Sequence, residues 1–417
     1  MNNRFPEQYT NSEFKIIDVD LKNHPPGSAR PAGLILGKSK ITSIDVLKNT
    51  TVINLDGESI VIDPSADTVP SYQNKKVSCV LLSHAHFDHV SGLSNIFSTG
   101  RSPEIICSLF TQRFLNENQW DTAGINDAIR DAHVLDPMGN NAIDFANGLK
   151  LQVFSGGHCF GNLAFHLSDA DSGFSLFVGN EATVRTVGGC DLNIPNGLEA
   201  DVLVVDGHFS NSETNHEPEL NHSELHGLLN ENISKYKNIR IVTNGSLGIH
   251  QDVFMAVKAW QFKEKPEVAK IYLKGLRHSV LDQITTLIAD SLGEFPWNGE
   301  INFISERDHE PFRDGIIVES TNESIMKRYC ENCVENKNEF VICVNTDITS
   351  YLVAEENFSC IHISTHASEV EVISLARVLN TKQIIFNCNG NSKMVPIFEN
   401  KVGIRCASAM DKLFSLV

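Results

Sequence analysis

The chain has 417 residues, of which 41% are apolar, so it is long enough for two or three domains or one large two-lobed body. Its formal net charge of −18 disfavours a protein that holds nucleic acid by bulk attraction, although a local basic groove, a metal ion or a partner subunit could supply that attraction. No run of about 18 or more apolar residues occurs, and the first residues are polar, so we expect neither a transmembrane helix nor a signal peptide. With ten scattered cysteines, we expect a cytoplasmic protein with reduced thiols and no membrane partner.

The first half of the chain is rich in short strand-type runs. Strands are predicted in ITSIDVL, TTVINLDG, SIVIDPS and VSCVLLSH, with a hairpin turn at Asp56-Gly57. A helical stretch is predicted around residues 104–132, and four further strands in LKLQVFSGG, LAFHLSDA, FSLFVGN and DVLVVDGH. Because most of these runs are apolar on successive residues, we expect strands that are covered on both faces.

From about residue 216 the pattern changes to an alternation of helices and strands. Helices are predicted in SELHGLLNENISKYK, QDVFMAVKAWQFKEK and SEVEVISLARVLN, and strands in NIRIVTNG, AKIYLKGL, INFISE, EFVICVN, SCIHISTHAS and KQIIFNCNG. The predicted fold class is α/β, with an inserted α/β domain. We place this inserted domain at residues 208–350, between a first part at 1–207 and a C-terminal return at 351–417.

Four potential metal ligands follow the fourth predicted strand, in the segment SHAHFDH. His84 and His86 are two residues apart, so both imidazoles can point to one side, while Asp88 and His89 can face a second position beside it. Imidazole and carboxylate are suitable zinc ligands, and a metal held by them lowers the pKa of a bound water. Four such residues within six positions favour a metal site over solvated loop histidines.

The pattern H-x-H-x-D-H after a strand resembles the metallo-β-lactamase superfamily, and the resemblance extends over most of the chain. SIVIDPS resembles the strand that ends in the family's first aspartate, here Asp63, and SGGHCFGN resembles the motif whose histidine, here His158, completes the first metal position. ADVLVVDGHFSN resembles the first motif of the β-CASP branch, with its acidic residue at Asp206. STHASEVE resembles the C-terminal return of that branch, with its first histidine at His366.

This resemblance implies a four-layer αβ/βα sandwich with an inserted β-CASP-like lid, and zinc-dependent hydrolysis of phosphodiester bonds in RNA or DNA. The implied metal ligands are His84, His86, His158, Asp88 and His89. Asp88 would also orient the attacking water or accept its proton. His366 would contact the phosphate or protonate the leaving oxygen, and Asp206 would hold the His366 imidazole in the required tautomer.

Two positions depart from the family pattern. Asn180 stands where the family has an aspartate that bridges two metals, and Asn389 stands where the last histidine of the β-CASP return binds the second metal. A neutral amide is a poor zinc ligand, so we expect one zinc ion per chain and a weak second position. Glu181 and His208 are candidates for compensation, although adjacent strand residues point to opposite faces, which disfavours Glu181.

Two other interpretations of the whole chain remain open. The loss of two ligands is typical of a weakened or inactive family member that serves as a subunit beside a partner protein. The acidic net charge instead favours a small-molecule metallo-hydrolase acting on a lactone, a thioester or a cyclic nucleotide.

A second histidine-rich segment is NHEPELNHSELH, which contains His216, His222 and His226. His222 and His226 are four residues apart, hence on one face if the segment is helical. We interpret the segment as an exposed, histidine-rich helix in preference to a metal site.

Overall fold

Two compact units make up the chain in the computed structural model: one comprises Met1–Val184, Cys190–Asn215 and His366–Val417, and the other Arg185–Gly189 and His216–Thr365. The residues that the structure describes are 41–100, 102–117, 120, 122–136, 141–145, 148–183, 192, 194–207, 218–244, 248–264, 270–274, 302–304, 314–321, 338–344, 356–361, 363, 366–387, 394–409 and 414–416.

Among the described residues, the first sheet of the first unit has seven strands. They are β1 (Ser43–Leu47), β2 (Thr50–Asn54), β3 (Ser59–Ile62), β4 (Val77–Leu81), β5 (Glu104–Ser108), β6 (His133–Leu135) and β20 (Phe414–Leu416), in the spatial order β20-β1-β2-β3-β4-β5-β6. The strands from β1 to β3 pair antiparallel, and those from β3 to β6 pair parallel. The predicted Asp56-Gly57 turn joins β2 and β3, and Gly57 has the positive φ of 82° that such turns require.

The second sheet of this unit also has seven strands in the part of the chain that the structure describes. They are β7 (Asn141–Asp144), β8 (Leu149–Ser155), β9 (Leu163–Asp169), β10 (Ser175–Gly179), β11 (Val202–Val205), β18 (Gln383–Phe386) and β19 (Arg405–Ser408), in the order β19-β18-β11-β10-β9-β8-β7. All four residues of β11 are buried, as its unbroken apolar run predicts for a strand that is covered on both faces.

A shared apolar core joins the two sheets face to face. Ile62 and Leu81 of the first sheet pack in one cluster with Phe165, Val178 and Val204 of the second, and all five are buried. Burying the apolar faces of two sheets against each other is the main source of stability in such a sandwich.

Eight α-helices occur among the described residues. They are α1 (Phe87–Val90), α2 (Leu93–Phe97), α3 (Leu109–Glu117), α4 (Ile125–Arg130), α5 (Pro218–Asn232), α6 (Ile249–Glu264), α7 (Glu369–Val378) and α8 (Met394–Val402). Helices α3 and α4 pack on the outer side of the first sheet, and α7 and α8 on that of the second, which gives the predicted αβ/βα layering. The predicted helical stretch at 104–132 is wrong at its start, because the apolar run EIICS forms strand β5 before α3 begins.

The described residues of the second unit form a six-stranded parallel sheet. Its strands are β12 (Asn238–Asn244), β13 (Lys270–Lys274), β14 (Asn302–Ile304), β15 (Gly315–Thr321), β16 (Glu339–Val344) and β17 (Phe358–Ile361), in the order β14-β13-β15-β12-β16-β17. The predicted inserted domain ends at residue 350, whereas β17 extends this sheet by pairing with β16.

No helix in the described part of the chain is long and apolar enough to span a membrane.

Helices α5 and α6 of the second unit pack through the two histidines of α5. His222 Nε2 lies 2.7 Å from the buried carboxylate of Asp252, and His226 Nε2 lies 3.0 Å from the Ala256 carbonyl oxygen. Both rings therefore contact α6, so these histidines join two helices. His216 lies outside the described residues.

Candidate metal centre

The potential ligands of the first unit lie at one edge of its two sheets. Most follow the carboxyl end of a strand: His84 and His86 follow β4, His158 follows β8 and Glu181 follows β10. In open α/β folds this edge is where ligands bind, because loops from several strands converge there.

The first donor group contains His84, His86, His158 and Glu181, whose ligand atoms all lie within 4.8 Å of one another. His84 Nε2 lies 2.7 Å from His86 Nδ1, and His158 Nε2 lies 3.3 Å from the same His86 atom. Three imidazole nitrogens and one carboxylate oxygen that converge on one point form a donor set typical of a tetrahedral zinc position.

Glu181 provides a test of whether a cation fits this group. The residue is buried, and among the described residues its Oε2 has no hydrogen bond that satisfies the usual geometry. Nε2 of His84 and Nε2 of His158 each lie 3.1 Å from Oε2. A buried carboxylate oxygen without a hydrogen bond is costly, so a cation at the point where these atoms converge fits the arrangement.

A second donor group contains Asp88, His89 and the same Glu181. Glu181 Oε1 lies 3.5 Å from His89 Nε2, and Asp88 Oδ2 lies 3.6 Å from that nitrogen. Glu181 thus directs one oxygen at each group, which is the geometry of a carboxylate shared between two metal positions.

The backbone at Glu181 explains why strand alternation does not apply to it. Strand β10 ends at Gly179, and Glu181 has a φ of 57°, in the left-handed region. This turn points the Glu181 side chain toward the two donor groups, although the preceding residue, Asn180, also faces the site. The sequence predicts one well-built position, whereas the described residues form two groups that share Glu181.

Ser83 and Asp63 contact the His84 and His89 imidazoles at Nδ1, the ring nitrogen that points away from the donor groups. Ser83 Oγ donates its hydrogen to Asp63 Oδ2 (2.6 Å). The Ser83 Oγ atom therefore accepts a hydrogen bond from His84 Nδ1, which lies 2.9 Å away. His89 Nδ1 lies 3.0 Å from Asp63 Oδ2 and faces an acceptor-only carboxylate. Both rings therefore direct Nε2 toward the donor groups, the role that outer hydrogen-bond partners have around metal sites.

Asn180 forms hydrogen bonds with the supporting residues. Its Nδ2 donates to Asp63 Oδ2 (2.7 Å) and to the Asn49 carbonyl oxygen (2.8 Å), and its Oδ1 accepts from Asn387. The two other residues considered for the second position, Asn389 and His208, lie outside the described residues.

Substitution of Asn180 by aspartate is therefore expected to destabilise the protein without adding a metal. The new carboxylate would face Asp63 and lose both donated hydrogen bonds, at a cost of at least about 2 kcal/mol. Asn180→Leu removes the same hydrogen bonds without adding charge, so it should be less destabilising than Asn180→Asp. Chemical denaturation and elemental analysis measure the two effects, and an extra ion in a stable Asn180→Asp protein would contradict the expectation.

His366 and Asp206 form a pair beside the first donor group. His366 Nδ1 lies 2.7 Å from Asp206 Oδ2, and the ring centroids of His366 and His158 are 4.9 Å apart. Asp206 directly follows β11, and His366 lies three residues before the start of α7. The structure thus brings these two residues of the sequence motifs together with the histidine cluster.

Electrostatics favour an ionised Glu181 and a protonated His366. Burial alone would raise the pKa of Glu181, but the charges on His158 and His89 outweigh burial and hold this pKa well below its usual range. Burial alone would lower the pKa of His366, but the carboxylate of Asp206 outweighs it and raises the pKa to about 9.

A close backbone approach fixes the loop that carries His158. Gly157 has a φ of 80°, and a Cβ atom there would lie 1.9 Å from the Thr183 carbonyl oxygen. Thr183 N also donates to the Gly156 carbonyl oxygen (2.8 Å). The loops that carry His158 and Glu181 are therefore in direct backbone contact. Only glycine at position 157 permits this close approach.

Sequence reasoning missed two residues at the centre. Ser83 appears only as the first letter of SHAHFDH, and its backbone N–H and hydroxyl both donate to Asp63. Asn49 lies in the two-residue connection between β1 and β2, and its Nδ2 lies 2.6 Å from Asp88 Oδ2. An asparagine in a tight turn is ordinary turn chemistry, so the sequence gives no signal for this role.

Comparisons with known proteins agree with this geometry. Residues 44–179 match the sequence profile of the metallo-β-lactamase superfamily. An RNase J-like protein from Methanocaldococcus jannaschii is 24% identical over 157 residues, which are 36% of this chain and 35% of the length of that relative. A solved structure, a protein of unknown function from Enterococcus faecalis V583, is similar in fold with a TM-score of 0.53 and 11% identity, over 91% of this chain and 100% of that one.

Residues 44–179 are therefore similar to the metallo-β-lactamase superfamily, and the RNase J-like relative agrees with its β-CASP-like branch, so the resemblance seen in the motifs is confirmed for this part of the chain.

Proposed function

We propose that the protein is a metal-dependent phosphodiesterase that cleaves RNA. The observation that carries this proposal is the pair of donor groups that share Glu181, with the His366–Asp206 pair beside them. The similarity to an RNase J-like protein supports RNA as the substrate class. We assign zinc to the first group, because three imidazoles and one carboxylate match the preference of that ion.

The residues around the site divide the proton transfers of hydrolysis between them. The residues of the two groups would hold cations, whose Lewis acidity would acidify a bound water and offset negative charge on phosphoryl oxygens. Asp88 has a side chain that is 57% exposed, so it can orient the attacking water and accept its proton. His366 is held by Asp206 and can donate a proton to the leaving oxygen, so one proton is taken and one is returned.

The presence of Glu181 weakens the argument for an inactive subunit. That interpretation depends on the loss of two ligands, at positions 180 and 389, and Glu181 offsets the first of these losses by placing a carboxylate against both groups. The small-molecule interpretation is decided by the choice of substrates in the assay below.

The proposal predicts that the metal-loaded protein cleaves a labelled single-stranded RNA, that chelation abolishes cleavage, and that His86→Ala lowers the rate about a hundred- to a thousandfold. The reason for the loss is that a bound cation supplies several kcal/mol of transition-state stabilisation. The assay compares RNA, a DNA of the same sequence, and a set of lactone, thioester and cyclic nucleotide substrates.

Three outcomes of this assay would contradict the proposal. Equal cleavage by wild type and His86→Ala would identify a contaminating nuclease. Cleavage of DNA alone would exclude RNA as the substrate class. Hydrolysis confined to the small molecules, by a protein shown to contain metal, would establish the other class of hydrolase.

A further inference from the structure

We infer that Asn49 supplies an amide oxygen to the second metal position, which makes that position oxygen-rich and suited to Mn²⁺ or Mg²⁺ beside a zinc-selective first position. The inference rests on the proposed metal-dependent function, and it concerns which cations the two positions accept.

The Asn49 side chain lies beside two members of the second donor group. Asn49 is buried, and its Nδ2 lies 2.6 Å from Asp88 Oδ2 and 3.2 Å from His89 Nε2. These two atoms belong to the second donor group, which Glu181 Oε1 completes at 3.5 Å from His89 Nε2. The carboxamide of Asn49 is therefore the fourth polar side chain at this position.

Rotation of the carboxamide exchanges a donor for an acceptor at the same place. Asn carries an oxygen acceptor and an NH₂ donor on the two sides of one planar group, and a half-turn about the last side-chain bond swaps them. Without a cation, Asn49 Nδ2 donates to Asp88 Oδ2. With a cation, an N–H dipole aimed at the positive charge is repelled, and the amide oxygen is attracted, so the half-turn is favoured.

The two positions then differ in the chemistry of their donors. The first has three imidazole nitrogens and one carboxylate oxygen, a set that suits zinc. The second has one imidazole nitrogen and three oxygens, from Asp88, Glu181 and Asn49. Carboxylate and carbonyl oxygens suit Mg²⁺ and Mn²⁺, so the ratio of zinc affinity to manganese affinity is lower at the second position.

The test measures manganese binding in the absence of RNA. Metal-free protein receives one equivalent of Zn²⁺ and is then titrated with Mn²⁺, while electron paramagnetic resonance counts the free manganese. Wild type should bind about one Mn²⁺ per chain. Asn49→Leu should weaken that binding at least about tenfold, and Asn49→Asp should keep or strengthen it, because a carboxylate offers the same oxygen.

The leucine variant separates a ligand from a hydrogen-bond donor. If Asn49 only donates to Asp88, its N–H competes with a cation for that carboxylate oxygen, so Asn49→Leu would bind Mn²⁺ as tightly as wild type or more tightly. That result would overturn the inference. Asn54→Leu is the matched control, because Asn54 lies at the other end of β2, bonded to Ser43 and Asp45, and should leave manganese binding unchanged.

Two further measurements keep this inference apart from the proposed function. Thermal unfolding in metal-free buffer identifies any variant that fails to fold. If Asn49→Leu fails to fold, the inference is tested by comparing Mn²⁺ binding in Asn49→Asp with that in wild type. A wild type that binds both ions but cleaves no RNA would contradict the proposed function alone. A wild type that cleaves RNA, with Mn²⁺ binding unchanged in Asn49→Leu, would contradict this inference alone.

Discussion

Replacement of Glu181 by glutamine is expected to remove metal from both positions at once. Glu181 Oε2 faces the first donor group and Oε1 faces the second, so the substitution removes one anionic charge that both positions share. Glutamine has the same shape but no charge, and its NH₂ end would point at one of the cations. We expect fewer than half of the wild-type ions to remain after dialysis, measured by elemental analysis.

A loss of metal should also appear as a loss of stabilisation by added cations. A cation at a concentration of about 100 times its Kd stabilises the folded state by about 2.7 kcal/mol, and this increment should shrink in Glu181→Gln. The matched control is Glu199→Gln, because Glu199 is exposed, lies outside both donor groups and faces Asn380. An unchanged stoichiometry in Glu181→Gln would show that Glu181 is not a ligand, and loss at one position only would show that it is not shared.

Replacement of His366 by alanine is expected to lower RNA cleavage by about 10²- to 10⁴-fold while the metal content stays the same. This range is typical for the removal of a general acid or base. His366 lies beside His158, outside both donor groups, and its Nδ1 is held by Asp206. Single-turnover cleavage and elemental analysis of the same preparation measure the two quantities.

The role of Asp206 can be separated from that of His366 by combining their substitutions. Asp206→Asn should reduce cleavage less than His366→Ala, and it should have little further effect in the His366→Ala background, because it acts through the imidazole. The control is His133→Ala, since His133 has a similar side-chain exposure, 26% against 22% for His366, and pairs with Glu104. Loss of metal in His366→Ala would place His366 among the ligands and contradict the assignment.

The sequence predicts the parts of this site that depend on residue type and local spacing. His84 and His86 after a buried strand predict a metal group, and the structure brings them together with His158, which is 72 residues further along the chain than His86. It does so because β4 and β8 present their carboxyl ends at the same edge. The strands of the first half are likewise readable, because their apolar runs are long and bounded by turns.

Other parts depend on backbone geometry that residue types do not encode. The inward turn of Glu181 needs the end of β10 at Gly179 and a left-handed backbone conformation, which non-glycine residues adopt rarely. Alternation along a strand predicts the opposite orientation. The sequence analysis predicts no strand at β15, GIIVEST, and it places β17 in the C-terminal return, because the pairing of β17 with β16 is not encoded in local sequence.

Asp63 connects the two donor groups without belonging to either. Its Oδ2 accepts hydrogen bonds from His89 Nδ1 and from the Ser83 hydroxyl, and the same hydroxyl oxygen contacts His84 Nδ1. A cation that withdraws electron density through either imidazole strengthens the hydrogen bonds that lead to this carboxylate, so both ions draw on one negative charge. By thermodynamic reciprocity, each ion then weakens the binding of the other by the same factor. Such negative cooperativity would give the protein a singly loaded form over a range of metal concentrations, in place of a single filling step.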